Sequence, residues 1–474
     1  MATIQPWIDG APARGKRKVD RILDPWTGKE IAQVALATDA DLDRAIVGAR
    51  KAFSVMRALP AHRRREILAS TASLLKRDRT ALATLMALDA GKPITLSLGE
   101  IDRAIGTFTI ASEALRWFGG EALPADIDAR GAGFMALTSR IPIGPISAIS
   151  PFNFPLNLVA HKVAPAIAVG SSIVLKVPPQ APLLSFRLAE LLAEAGLPPG
   201  ALQVLHMPIP VAERLATDPA FAMLSFTGSA QVGWHLKAVA GRKRVVLELG
   251  GNAAALVHED AGDLEALAAR IAWGAFAYAG QVCIKVQRLL VHEPIAAKFT
   301  TLVSEATKRI AVGNPMDEKV VIGPLIDDGS ADRVESWIEE AVKGGARALY
   351  RGPRKGRLLG PTVLDRVKPK MKVSCREVFG PVLTIESYKS WDDAIRRANN
   401  SEYGLQAGVF TRDASRMMQA WRELEVGGVV GNDIPTLRLD HLPYGGVKSS
   451  GFGREGLREA MREMTEERLL LWKA

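Results

Sequence analysis

Apolar positions in the N-terminal part of the chain recur with helical spacing, and from about residue 145 they gather instead into short continuous runs. Leu42, Ala45, Ile46, Ala49 and Phe53 share one face of a helix expected over 41–59, with Thr38 or Asp39 as its cap and Pro60 as its stop. Two more helical stretches are expected over 61–90, ended by Gly91 and Pro93, and over 98–118. The runs 146–149, 172–177, 202–205 and 223–226 read as buried strands. Helical segments near 155–169, 182–195 and 209–217 separate them, and another follows Ser229. A second alternation occupies roughly 253–430, with helices over 265–276 and 294–309. Strands alternating with helices predict parallel sheets covered on both faces, an α/β class. The stretch 121–139 has no helical period and reads as an extended arm, and 468–472 reads as a strand with no partner of its own.

Composition narrows the setting. A chain of 474 residues that is 48% hydrophobic has apolar surface for two or three domains. Two cysteines, Cys283 and Cys375, are too few for a disulfide framework and suit a reducing cytoplasm. The first ten residues lack the basic-then-apolar pattern of a signal peptide. The longest apolar stretch, 163–177, is interrupted by Pro165, Gly170 and Lys176 and is too short to span a bilayer. A soluble chain without a membrane partner is expected. The net charge of +10 includes basic clusters at 14–18 and 62–65, but acids are interspersed and few aromatics flank them. They read as solvated faces rather than a nucleic-acid surface. The positive field favours anionic cofactors and substrates.

Cys283 ends the run Phe276-Ala277-Tyr278-Ala279-Gly280-Gln281-Val282-Cys283, downstream of Glu248-Leu249-Gly250-Gly251-Asn252. A glycine-flanked thiol and an isolated glutamate supply a nucleophile and a base, the two groups needed to form and then hydrolyse an acyl intermediate. Cys375 has no base motif or glycine setting and reads as structural. In order along the chain come Pro151-Phe152-Asn153-Phe154-Pro155, Leu175-Lys176, Phe226-Thr227-Gly228-Ser229 with Gly233, and Glu377-Val378-Phe379-Gly380-Pro381. No single element is diagnostic, but the co-linear series resembles the NAD(P)-dependent aldehyde dehydrogenase superfamily over nearly the whole chain. Around Cys283 it resembles the lactaldehyde and non-phosphorylating glyceraldehyde-phosphate branch.

The resemblance implies two doubly wound, Rossmann-like domains with a small oligomerisation arm. Residues 1–120 and 141–248 would bind cofactor, 249–456 would form the catalytic domain, and 121–140 with 457–474 would bridge subunits of a homo-dimer or homo-tetramer. It implies oxidation of an aldehyde to its acid through a thioester, with Cys283 as nucleophile, Asn153 and the Cys283 N–H as oxyanion donors, and Glu248 as base for water. Lys176, Gly228, Ser229, Gly233, Glu377 and Phe379 would hold NAD or NADP. Pro179 stands where many relatives carry the acid that grips the adenosine 2′-hydroxyl, so either cofactor is expected. Arg103, His161 and Arg438 fall where relatives often place aromatics or helix residues of the substrate funnel, which implies a small polar aldehyde, hydroxylated or anionic. Val282 replaces the arginine that phosphate-selective relatives often carry. Three rivals are a coenzyme-A-acylating dehydrogenase, against which Glu248 speaks, a Cys–His hydrolase, for which no local histidine motif exists, and a non-catalytic binding relative of the same fold.

Overall fold

Thr38 starts the first helix through a reciprocal cap: its hydroxyl accepts the Asp41 N–H, and the Asp41 carboxylate accepts the Thr38 N–H. In the computed structural model, which describes residues 3–473, this helix runs Asp39–Ala58 and buries Leu42, Ala45, Ile46 and Ala49. The stretch expected as one helix over 61–90 is two, Ala61–Arg77 and Arg79–Ala90. They part at Asp78, whose carboxylate is held by the guanidiniums of Arg77 and Arg187. The next helix, Ile94–Ala114, starts earlier than expected, directly after Pro93.

The first sheet has eight strands in the order Ala11–Pro12, Trp7–Ile8, Leu202–Leu205, Ile173–Lys176, Ile146–Ile149, Met223–Thr227, Arg244–Glu248 and Gly451–Phe452. The five from Leu202–Leu205 to Arg244–Glu248 are parallel, and the flanking strands run antiparallel. These central runs are apolar throughout because helices cover both faces. From Ile146–Ile149 the chain builds outward through Ile173–Lys176 and Leu202–Leu205, then crosses back to place Met223–Thr227 on the other side of Ile146–Ile149. The crevice at the carboxyl ends of Ile146–Ile149 and Met223–Thr227 is therefore a topological switch point, where such folds bind ligands.

A second sheet holds seven strands in the order Arg347–Arg351, Thr362–Asp365, Val382–Tyr388, Arg288–His292, Ala254–Val257, Gln406–Phe410 and Gly428–Gly431, all parallel except the first. It too has apolar clusters on both faces. The chain does not stay there to residue 456. Gly451–Phe452 pairs with Leu247–Glu248, and the helix Leu457–Glu463 buries Leu457 and Met461 in the core of the first sheet.

The terminal strand differs from expectation. Thr465–Lys473 pairs antiparallel, residue for residue, with Phe134–Pro142 of the same chain, which in turn pairs with Ala122–Leu123. Its outer edge remains open, and Leu469, Leu470, Leu471 and Trp472 are each more than half exposed. Among the described residues no helix is long and apolar enough to cross a membrane.

Candidate active site

The turn before Cys283 is held in a conformation that side chains avoid. Tyr278 and Ala279 both have φ of 53°, and Gly280 follows at 69°. A Cβ on Gly280 would stand 2.3 Å from the Gly380 carbonyl oxygen, so glycine is required there on space as well as on φ. Left-handed non-glycine residues cost about 1–3 kcal/mol each and persist where surroundings over-determine them. Here the buried Tyr278 hydroxyl donates to the Ala90 carbonyl at 2.9 Å, and the Tyr278 N–H donates to the Val321 carbonyl at 3.0 Å.

The turn delivers Cys283 to the junction of two cavities, one of about 990 Å³ and one of about 300 Å³, both lined by Cys283, Leu158, Arg438 and Tyr444. Burial pushes the thiol up to about 11; a Tyr444 hydroxyl 3.4 Å from Sγ and the Arg438 cation oppose that rise.

Asn153 sits on the loop after Ile146–Ile149, with one amide proton donated to the Gln281 carbonyl at 3.0 Å, two residues from Cys283. That leaves the second amide N–H for a ligand. The loop is clamped from the helical N-terminal region. Lys92 donates to the Asn153 carbonyl at 3.1 Å and to Glu100 at 2.6 Å, while Glu100 accepts the N–H groups of Leu156 and Asn157.

Glu248 ends the strand Arg244–Glu248 and is buried in the wall of the larger cavity. Neither carboxylate oxygen has a hydrogen-bond partner. Desolvation, reinforced by the nearby Glu455, holds its pKa well above the ordinary range. Glu455 behaves oppositely: despite burial, Lys162 at 2.9 Å and Arg438 at 3.2 Å keep it ionised.

The larger cavity runs from Cys283 to the carboxyl ends of the first sheet and is lined by Lys176, Gly228, Ser229, Glu377 and Phe379. Ser229 precedes the helix Ala230–Val239, and its side chain makes no capping bond. Gly233 in that helix is buried, and a Cβ there would strike Leu249 at 2.4 Å. Burial alone pushes the Lys176 ammonium down to about 8. Burial raises Glu377 to about 7, although it accepts the Gly251 N–H at 3.1 Å. Phe379, at φ 46°, meets Phe152 edge-to-face at 5.9 Å between ring centroids. Pro179 and Gln180 also line the wall, as do Glu213 and His235.

The smaller cavity opens between Arg103, Phe154, Trp273 and Arg438. Asp440 is its hub. Arg103 grips this carboxylate through two hydrogen bonds of 2.7 and 3.0 Å, His161 Nε2 lies 2.8 Å away, and Arg438 Nε is 3.8 Å away. His161 lines neither cavity, and burial lowers its pKa, so the ring is neutral and serves Asp440 from behind the wall.

Sequence reading missed Lys162, Glu455, Asp440, Lys92 and Glu100. A lysine inside the all-buried helix Asn157–Val169 was the one visible signal, since an unpaired charge does not survive there.

The aldehyde dehydrogenase family model matches residues 12–470. A 3-sulfolactaldehyde dehydrogenase of Priestia aryabhattai is 43% identical over 451 residues, covering 95% of this chain and 94% of its own. The crystal structure of aldehyde dehydrogenase 21 from Physcomitrella patens, in complex with the reaction product succinate, superposes with a TM-score of 0.97 at 40% identity, covering 99% of this chain and 98% of its own. An NADP-dependent glyceraldehyde-3-phosphate dehydrogenase from Bacillus halodurans, complexed with NADP, gives a TM-score of 0.96 at 34% identity, with both chains fully covered.

Proposed function

This chain belongs to the aldehyde dehydrogenase family, and from that premise we propose that it oxidises a small anionic aldehyde to its carboxylic acid with NAD or NADP. The observation that carries the reading is the junction itself: a thiol, a free amide N–H and an unpartnered buried carboxylate converge where a long groove meets a charged funnel.

The groove fits a dinucleotide. It lies at the topological switch point, offers an uncommitted Ser229 hydroxyl at a helix N-terminus, and keeps that helix against Leu249 through Gly233. Lys176, Glu377 and Phe379 would hold the ribose and nicotinamide ends. When bound, the nicotinamide supplies the hydride acceptor. In this reading the Cys283 thiolate attacks the aldehyde carbon, and the oxygen that becomes negative takes hydrogen bonds from Asn153 and the Cys283 N–H. Glu248, once ionised, removes a proton from the water that hydrolyses the Cys283 thioester. Pro179 brings no carboxylate against a 2′-phosphate, which supports use of NADP alongside NAD.

Charge supports an anionic substrate. Arg103, Arg438 and Lys162 share two carboxylates, Asp440 and Glu455, three cations to two anions, and burial pushes the neighbouring Glu248 toward its neutral form. The funnel is small, at about 300 Å³. Sulfolactaldehyde and succinate, named for two of the relatives, are anions of this size. The open, apolar edge of Thr465–Lys473 supports a homo-dimer or homo-tetramer, and two free thiols support a cytoplasmic setting. The packing of residues 451–464 on the first sheet supports a division in which that segment joins the cofactor domain rather than 249–456 or the bridging arm.

Specificity constants decide the reading. Three- and four-carbon aldehydes ending in sulfonate, carboxylate, hydroxyl or methyl, each with NAD and NADP and with or without coenzyme A, should rank the anions first. Hexanal or benzaldehyde ranking first would refute the anionic substrate, and a dependence on coenzyme A would refute hydrolysis.

A further inference from the structure

The Cys283 thiol shares one hydrogen bond, and its partner has no role in the reaction described so far. We infer that the Tyr444 hydroxyl is a catalytic hydrogen-bond donor to the sulfur of Cys283 that stabilises the thiolate when it forms. This rests on Cys283 being the nucleophile.

The phenol is built for that single contact. Tyr444 Oη lies 3.4 Å from Cys283 Sγ, and the ring is packed with Val282, Ile284 and Leu405. Its backbone is fixed on both sides, donating to the Glu455 carbonyl at 2.9 Å and accepting the Glu455 N–H at 2.7 Å. The Arg438 guanidinium lies 3.8 Å from the ring centroid. A cation over the ring draws electron density from the phenol and makes its O–H a better donor. Arg438 acts on the thiol through its own charge and also through this ring, for which it is a positioning residue.

The direction follows from ionisation, since a thiolate has no proton to donate. The other candidate donor, Asn153, spends one amide proton on Gln281 and is needed where the aldehyde oxygen will stand. Desolvation holds the phenol well above its usual range and the thiol up at about 11, so both rest protonated and the phenol becomes the donor once the thiol ionises. The thiol proton leaves to water in the groove, sulfur retains the electron pair, and the phenol donates to it. A hydrogen bond to an anion contributes enough to shift an ionisation by one unit or more.

The test is the pH dependence of Cys283 alkylation by iodoacetamide, in a Cys375→Ser background so that one thiol reports. Tyr444→Phe should raise the midpoint by about one unit, leaving about tenfold less thiolate at a fixed pH below it. Thermal melting and cofactor binding show that the variant is folded. Replacing the five tyrosines with 3-fluorotyrosine, a more acidic phenol, should move the midpoint the other way and needs no change of shape. If Tyr444→Phe and the fluorinated protein both keep the parent midpoint, the inference is overturned. If alkylated Cys283 still supports turnover, it is the nucleophile assignment that falls.

Discussion

With Glu248 as the proposed base for water, Glu248→Gln should separate the two halves of the proposed reaction. Both Glu248 oxygens lack partners, and burial disfavours the charged carboxylate, so a neutral amide of the same shape disturbs little. Thiol ionisation, oxyanion stabilisation and cofactor binding should survive. Only activation of water is lost, a general-base contribution of about 10²–10⁴-fold, or about 3–5 kcal/mol of barrier. Stopped-flow absorbance of reduced nicotinamide should therefore show a burst of about one equivalent per site followed by turnover slowed by that factor. Mass spectrometry after acid quench should find the acyl group on Cys283. The parent enzyme adds a pH signature. Its base works only when ionised and its pKa is raised, so kcat should fall as pH drops through that raised value, well above the usual carboxylate range. In Glu248→Gln that limb should vanish from the slow phase. A variant with neither burst nor adduct would show that Glu248 acts earlier, and the separation argued above would be wrong.

Cys283→Ala should abolish oxidation yet bind cofactor with parental affinity, measured by fluorescence quenching, because the groove residues are untouched. Asn153→Ala should lower kcat by about 10²–10³, the usual loss for one oxyanion donor; a change of a few-fold would make Asn153 a turn residue. Arg103→Gln exposes Asp440 to the funnel, so kcat/KM for a carboxylate-bearing aldehyde should fall about 10–100-fold while that for propanal barely moves. An equal fall for both would point to structure rather than charge. Light scattering should give a dimer or tetramer, and Leu470→Glu on the open edge should dissociate it; a stable, active monomer of the parent near 51.0 kDa would refute this.

The strands were legible because strands buried on both faces are uninterrupted apolar runs: 146–149 and 202–205 match residue for residue. Cys283, Glu248 and Asn153 stood out because glycine, proline and aromatic neighbours punctuate them. What stayed hidden was pairing at a distance. Lys162 meets Glu455 across 293 residues and Arg103 meets Asp440 across 337, and no local pattern announces either. The break at Asp78 was invisible for the same reason, since Arg187 that helps hold its carboxylate lies in another helix. The terminal strand was read correctly as a strand, but its partner, 134–142, starts within the stretch read as an extended arm, 121–139, and runs past its end.

The left-handed turn at Tyr278–Gly280 has a consequence for the order in which this molecule is put together. Its strain is offset in part by groups from elsewhere, the Ala90 carbonyl at the end of an N-terminal helix and the Val321 carbonyl. The thiol should therefore reach its working position only once the N-terminal helix has docked against the second sheet's domain. A chain caught half-assembled holds its nucleophile slack, away from Asn153 and Tyr444, and reactivity switches on only when the whole is complete. Excised alone, residues 249–456 would carry every atom of Cys283 and none of the anchor at Ala90, leaving a thiol with no address.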